Sequence, residues 1–146
     1  MKLKIAWIGK NKNAAIQSLT GEYLKRLGCY ADTEAVVLKD EGALLKLCSR
    51  KARGTKPALI MLDSRGRQFS SEEFAEFLGE HQDRNVSLLF AVGPANGFSD
   101  ETRRAAILVL SLGKMTLAHE LARVVLLEQL YRAWTILKGH PYHLGH

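Results

Sequence analysis

Ala58-Leu59-Ile60-Met61-Leu62 is an unbroken apolar run cut off by Asp63, and Val86 to Val92 is a second apolar segment that runs straight into the turn Gly93-Pro94-Ala95-Asn96-Gly97. Such strands have to be covered on both faces, which is the mark of a parallel sheet between layers of helix. The rest of the chain fits that demand. Lys2 to Ile8 alternates, with Leu3, Ile5 and Trp7 sharing one face, and reads as a strand covered mainly on one side. Ile16, Leu19, Tyr23, Leu24 and Leu27 recur at helical spacing up to Gly28, which supplies a C-terminal stop. Ala35 to Leu38 predicts a second strand. Leu44, Leu47 and Cys48 form the inner face of a second helix, followed by the basic connection Arg50 to Lys56. Beyond a loop from Ser64 to Phe69, Ser70-Ser71-Glu72-Glu73 is a capping box opening a helix with Phe74, Phe77 and Leu78. Ser99 caps a short helix to Ala105, and Ile107 to Leu112 is a fifth strand ended by Gly113. Ala118 to Leu137 is one long helix, and Lys138 to His146 is a tail. Strands alternating with helices, without repeat or linker, predict one α/β domain over residues 1–146.

A chain of 146 residues folds without disulfide or metal staples. Cys29 and Cys48 have neither metal-ligand nor CxxC spacing, so a reduced, cytoplasmic protein is expected. No segment has the ~18 apolar residues of a membrane span, and the apolar stretch around Ile5 is too short for a signal peptide. Lys plus Arg number 21 against 15 for Asp plus Glu, leaving a net charge of +6. That surplus suits a polyanion such as nucleic acid.

The long helix carries its polar residues on opposite sides in its two halves. His119, Glu120 and Arg123 occupy one sector; Glu128, Gln129, Arg132 and Thr135 occupy the other. Its apolar face therefore changes sides midway and must be buried against two bodies. Either the helix is sandwiched inside the monomer, or Leu126, Leu127, Leu130, Tyr131, Ala133 and Trp134 enter the interface of a homodimer, the commonest oligomer. The dimer is the expectation.

The first strand ends Ile8-Gly9-Lys10-Asn11, without GxGxxG, and GxxxxGK[ST] occurs nowhere. This argues against nicotinamide enzymes, NTPases and the glycine-rich methyltransferase layout. In open α/β sheets ligands bind beyond the carboxyl ends of the strands. Three such ends stand out: Leu62-Asp63-Ser64-Arg65-Gly66-Arg67, Gly93 to Gly97, and Leu112-Gly113-Lys114-Met115-Thr116. Each alone reads as a plain turn; together they predict a cofactor pocket, glycine letting the backbone approach a ligand closely. A response-regulator receiver domain would also use Asp63 and Lys114, but it needs an acidic pair after the first strand to hold Mg²⁺. Lys10, Asn11 and Lys12 stand there and repel metal.

The tail Gly139-His140-Pro141-Tyr142-His143-Leu144-Gly145-His146 holds three of the five histidines. With no cysteine or acidic cluster beside it, no metal site is predicted. After Arg132 and Lys138, an aromatic ring and imidazoles suit stacking on an unpaired base beside phosphate contacts. The plainer alternative is a disordered terminus.

Leu62-Asp63 with Gly66 and Ser70-Ser71, the Gly93 to Gly97 turn, and Leu110-Ser111-Leu112-Gly113-Lys114-Met115-Thr116-Leu117-Ala118-His119 together resemble the RlmH type of SPOUT methyltransferase. Glu128-Gln129-Leu130-Tyr131-Arg132-Ala133, the ending Pro141-Tyr142-His143 and Glu22-Tyr23-Leu24-Lys25-Arg26-Leu27 extend the resemblance over nearly the whole chain. It implies a SPOUT-like parallel sheet flanked by helices, with the C-terminal region tied in a trefoil knot. It implies a homodimer that uses S-adenosylmethionine to methylate N3 of a pseudouridine in 23S rRNA on the assembled ribosome. By position, the family's cofactor contacts fall on Leu62, Gly93, Leu112, Gly113, Lys114, Met115, Thr116 and Leu117. The chain departs from the pattern at Pro94, where the family usually has a second glycine, and at Ala118, where it has a proline. Leu144, Gly145 and His146 follow the usual Tyr-His ending.

On this resemblance Leu62, Met115 and Leu117 would wall the adenosine. His143 would accept the acceptor nitrogen's proton or orient the base, and Tyr142 would stack on it. The tail would complete the partner's pocket. Arg65, Arg67, Lys114, Arg123, Arg132 and Lys138 are candidates for phosphate contacts, with Arg123 or Arg132 alternatively a structural ion-pair member. The competing class is a non-enzymatic ribosome-binding or assembly factor, which Pro94 keeps open because proline removes a backbone donor at the pocket rim.

Overall fold

The computed structural model describes residues 1–10, 12–49, 56–94 and 96–145, so the basic connection Arg50 to Lys56 lies, save for Lys56, outside the described residues. Five parallel strands, β1 (Lys2–Ile8), β2 (Asp32–Leu38), β3 (Ala58–Gln68), β4 (Leu88–Val92) and β5 (Leu108–Ser111), form one sheet in the order β2-β1-β4-β3-β5. α1 (Ala14–Gly28), α3 (Ser71–Asp83) and α5 (His119–Leu137) cover one face, over a core that includes Phe74, Phe90, Leu127 and Trp134. α2 (Glu41–Ser49) and α4 (Asp100–Ala105) cover the other, around Leu44, Leu59 and Leu89. Among the described residues no helix is long and apolar enough to cross a membrane.

The predicted element order holds, with informative differences. β1 is not a one-sided strand: it sits between β2 and β4, and Ala6 and Ile8 are buried along with Leu3, Ile5 and Trp7. α1 does end at Gly28, but the cap is Cys29 in right-handed geometry at φ −74°, so no left-handed glycine is needed. The capping box forms as written: Ser70 Oγ accepts from Glu73 N–H at 3.0 Å, and Glu73 accepts from Ser70 N–H at 2.8 Å.

The loop predicted from Ser64 is mostly strand. β3 continues to Gln68 after an excursion over which both Leu62 and Arg67 pair with Leu110. Charged residues hid it, because only β5 pairs with this stretch and no apolar period marks it. Gly66 makes the return possible: a Cβ there would stand 2.5 Å from the Val109 carbonyl oxygen.

The predicted interface face of α5 is a second correction. Leu126, Leu127, Leu130, Ala133 and Trp134 are fully buried within the chain, where α5 packs on both α1 and α3. The second apolar face meets the chain's own α3 and α1 rather than a partner. Tyr131 is half-buried against Tyr23, Tyr30 and Tyr142.

Candidate functional site

The carboxyl ends of β3, β4 and β5 enclose a cleft of about 610 Å³, within the ~300–1,000 Å³ usual for small-molecule sites. The three strand-end segments singled out in the sequence meet there. Leu62, Gly93, Leu112, Gly113, Met115, Thr116 and Leu117 line it; Lys114 is exposed and does not. Phe98 also lines it and had no sequence signal as a site residue; His119, the last residue of the Leu110–His119 motif, lines it too without having been expected to.

Each wall has a local cause. A Cβ on Gly93 would lie 2.6 Å from the Phe98 ring, so glycine lets that ring close against the turn. Gly97, at φ +81°, donates its N–H to the Pro94 carbonyl at 2.9 Å and reverses the chain. Pro94 lines open space; the turn does not fill the cleft. The buried Ser111 Oγ accepts from Gly113 N–H at 3.1 Å and lies 3.0 Å from the Ser64 carbonyl oxygen, tying the β3 excursion to the end of β5.

Asp63 organises the third wall. Its carboxylate accepts from the Arg65 backbone N–H at 2.9 Å, from Arg65 Nε at 3.2 Å and Nη2 at 3.1 Å, and from Arg103 Nη2 at 2.9 Å. The Arg65 side chain, then the Arg65 N–H and Arg103, hold the carboxyl well below the usual carboxylate range against the opposing effect of burial. A group depressed in the folded state stabilises the fold above its unfolded pKa and loses that contribution as pH falls toward the folded value. Asp63→Asn is therefore expected to cost about 2 kcal/mol near pH 7, with the gap to wild type closing in urea titrations below about pH 4. A gap that stays constant down to pH 2 would contradict this account.

The predicted phosphate contacts divide sharply. Arg123 is wholly buried: Nη2 donates to the Gly9 carbonyl at 3.0 Å and to that of Ile8 at 3.4 Å, and the guanidinium lies 5.1 Å from the Trp7 ring centroid. With no exposed surface, it makes no RNA contact. Burial pushes its pKa down, partly offset by Glu120, and Nε and Nη1 have no partner among the described residues. Its visible work is to pin the β1–α1 turn to α5, assisted by Lys12 N–H donating to Glu120 Oε1 at 3.2 Å. Arg132 is committed to Glu128 at 2.7 Å and to the Tyr142 face at 5.1 Å. Arg65 pairs with Asp63 yet stays exposed at the rim, Arg67 lies over Phe69, and Lys138 is exposed at the end of α5.

The tail stands apart from the cleft: among the described residues none after Ala122 lines it. Tyr142 stacks edge-on against Tyr131 at 4.8 Å, and its hydroxyl pKa is raised, chiefly by burial. His143 Nδ1 lies 3.0 Å from Arg132 Nη1, and Nε2 lies 2.7 Å from Glu72 Oε1. A guanidinium only donates, so Nδ1 accepts and Nε2–H donates to Glu72. Both ring nitrogens are engaged.

The family profile described as "Predicted SPOUT methyltransferase" matches residues 1–143. The chain is 60% identical over 147 residues, covering 100% of both chains, to the ribosomal RNA large subunit methyltransferase H of Koribacter versatilis (strain Ellin345). It is 42% identical over 157 residues to the protein of the same name in Geobacter sulfurreducens, covering 98% of this chain and 99% of that one. Among solved structures, a probable methylase family protein from Haemophilus influenzae aligns over 96% of this chain and 69% of its own, with a TM-score of 0.61 at 14% identity. The SpoU methyltransferase AviRb of Streptomyces viridochromogenes, solved with AdoMet, aligns over 94% of this chain and 58% of its own, with a TM-score of 0.57 at 16% identity. These two likenesses concern the fold.

Proposed function

The chain belongs to the SPOUT methyltransferases, with RlmH relatives along its full length, and we propose that it methylates N3 of a pseudouridine in 23S rRNA on the assembled ribosome, with S-adenosylmethionine as donor. The cleft at the ends of β3, β4 and β5 carries this reading. Its size and its glycine-dependent walls at Gly93 and Gly113 suit a nucleoside that needs backbone hydrogen bonds on its polar edges. Bound there, S-adenosylmethionine supplies a methyl group on a positively charged sulfur, an electrophile in its own right. The chain's part is position and dehydration. Leu62, Met115 and Leu117 would wall the adenosine, and the backbone at Gly93, Leu112, Gly113, Met115 and Thr116 would face its polar atoms, while Lys114 stays outside the cleft.

The acceptor nitrogen gains the methyl carbon and gives up its proton. His143 takes that proton or orients the base, and Tyr142 stacks on it. Since Arg132 occupies Nδ1, His143 accepts a proton only when that contact opens. A homodimer, in which one protomer's tail reaches the other's cleft, is supported by the separation of tail and cleft within one chain and by exposed Met115, Leu117 and Leu121 beside the rim. A knotted C-terminal region belongs to the same reading; its support is β5 pairing with β3 on both sides of the 63–66 excursion before the chain enters the cleft. The site of action is the cytoplasm, with the ribosome. The alternative is a ribosome-binding factor without cofactor; Pro94 lies in the lining of an open cleft, which favours the enzyme, and cofactor titration separates the two.

For the RNA, Arg65, Arg67, Lys114 and Lys138 remain candidates, joined by Lys10 and Lys12 on the turn that Arg123 pins. Calorimetric titration is expected to show one S-adenosylmethionine per chain, and ribosomes from a strain lacking the enzyme to gain one methyl group by mass spectrometry. Lys10→Gln with Lys12→Gln is expected to weaken ribosome binding and shallow its salt dependence by about 0.7–0.9 log unit per lost contact. Absence of cofactor binding overturns the reading; an unchanged salt slope removes only the two lysines.

A further inference from the structure

A carboxylate on the far side of the sheet holds one wall of the cleft in place. Glu41 opens α2. Its Oε1 accepts from Ser99 N–H at 2.9 Å, and its Oε2 accepts from Ser99 O–H and Thr102 O–H, each at 2.6 Å. Ser99 is also the cap of α4, and Thr102 is wholly buried. Burial opposes ionisation of Glu41, but the hydrogen bonds from Ser99 and Thr102 outweigh it and hold the carboxyl below its ordinary value.

The residue before Ser99 is Phe98, whose ring closes against Gly93, lines the cleft and packs on the core around Leu44 and Leu47. The turn that forms this wall is fixed at one end by the buried Val92 of β4 and at the other by Glu41 through Ser99. Between them the Gly97-to-Pro94 hydrogen bond closes it. The Ser99 backbone N–H and the Ser99 and Thr102 hydroxyls all donate to Glu41. Glutamine keeps one acceptor oxygen and would have to reverse the hydrogen bonds to the hydroxyls, giving up the charge that makes them short and strong.

We propose that Glu41 is a positioning residue for the cofactor cleft, holding Phe98 and the Gly93 turn in the shape that takes S-adenosylmethionine. The proposal rests on the reading of the cleft as the S-adenosylmethionine site. Glu41→Gln preserves size, and Thr102→Val removes a single donor at nearly constant volume. In the full-length protein, Glu41→Gln is expected to raise KM and Kd for S-adenosylmethionine about tenfold, the weight of one charged hydrogen bond. The value of kcat at saturating cofactor and KM for ribosomes should stay within about twofold of wild type. Thr102→Val is expected to show the same split more weakly, and the double variant less than the product of the two, because they share one network.

Wild-type cofactor affinity in Glu41→Gln, with or without a lower unfolding temperature, would make Glu41 a structural tie only and overturn the proposal. A fall in kcat with unchanged KM would also overturn it. Wild-type protein that binds no S-adenosylmethionine would overturn the reading of the cleft and the proposal together.

Discussion

Alanine in place of Gly66 is expected to lower the thermal unfolding midpoint by roughly 6–12 °C, the equivalent of about 3 kcal/mol in a chain of this size. The added methyl carbon would stand 2.5 Å from the Val109 carbonyl oxygen, 2.7 Å from its carbon and 2.9 Å from Val109 Cγ1. Two of these three atoms are backbone, so no rotamer change relieves the contact and β5 itself has to move. β5 pairs only with β3 and hands the chain to Leu112 and Gly113 of the cleft. Cofactor affinity should therefore fall together with stability. Gly21→Ala is the control: it lies within α1 with nothing inside 4 Å of a new Cβ, and alanine there should stabilise by about 0.5–1 kcal/mol. Differential scanning calorimetry of the two variants separates a steric effect from a general intolerance of alanine. Equal midpoints for Gly66→Ala and wild type would contradict the geometry of the β3–β5 pairing.

The same excursion shows what a sequence can and cannot disclose. Apolar runs and caps act locally, so Ala58–Leu62, the Ser70 capping box and the Ser99 cap are legible in the sequence, as is the run Val86 to Val92, of which Leu88–Val92 forms β4. The ends of three strands were legible as a site because ligands collect where a parallel sheet's strands end. Features that depend on a distant partner were not. Residues 64–68 are charged, polar or small, with no apolar period, and the pairing with β5 makes strand of them. Arg123 looks like a surface cation until Gly9, at φ +103°, turns the chain and leaves the carbonyls of Ile8 and Gly9 to be met from α5. α5 has two apolar faces because α1 and α3 flank it; periodicity reports that a face is covered but not by which chain. Glu41 and Ser99 are 58 residues apart, and neither carries a local sign of the other.

Removal of residues 140–146 is expected to cut methylation of ribosomes by about 10²-fold or more, the weight of a positioned acid–base group, while S-adenosylmethionine binding stays within about threefold. The separation of the two effects follows from where the tail lies. Among the described residues no tail residue lines the cleft, so the cofactor's walls survive the deletion. What goes is Tyr142 against Tyr131 and the chain of contacts from Glu72 through His143 and Arg132 to Glu128. That chain fixes the imidazole as a donor toward Glu72 and an acceptor from Arg132, which orients the ring but leaves no free lone pair. His143→Gln then distinguishes orientation from proton transfer. Glutamine can still accept from Arg132 and donate to Glu72 but cannot carry the N3 proton, so activity near that of the deletion assigns the proton to His143, and activity near wild type assigns His143 to orientation alone. Single-turnover methylation with saturating cofactor reads this directly. A truncated protein that methylates as fast as the full chain would remove the tail from the reaction and leave His119, the imidazole that lines the cleft, as the candidate base.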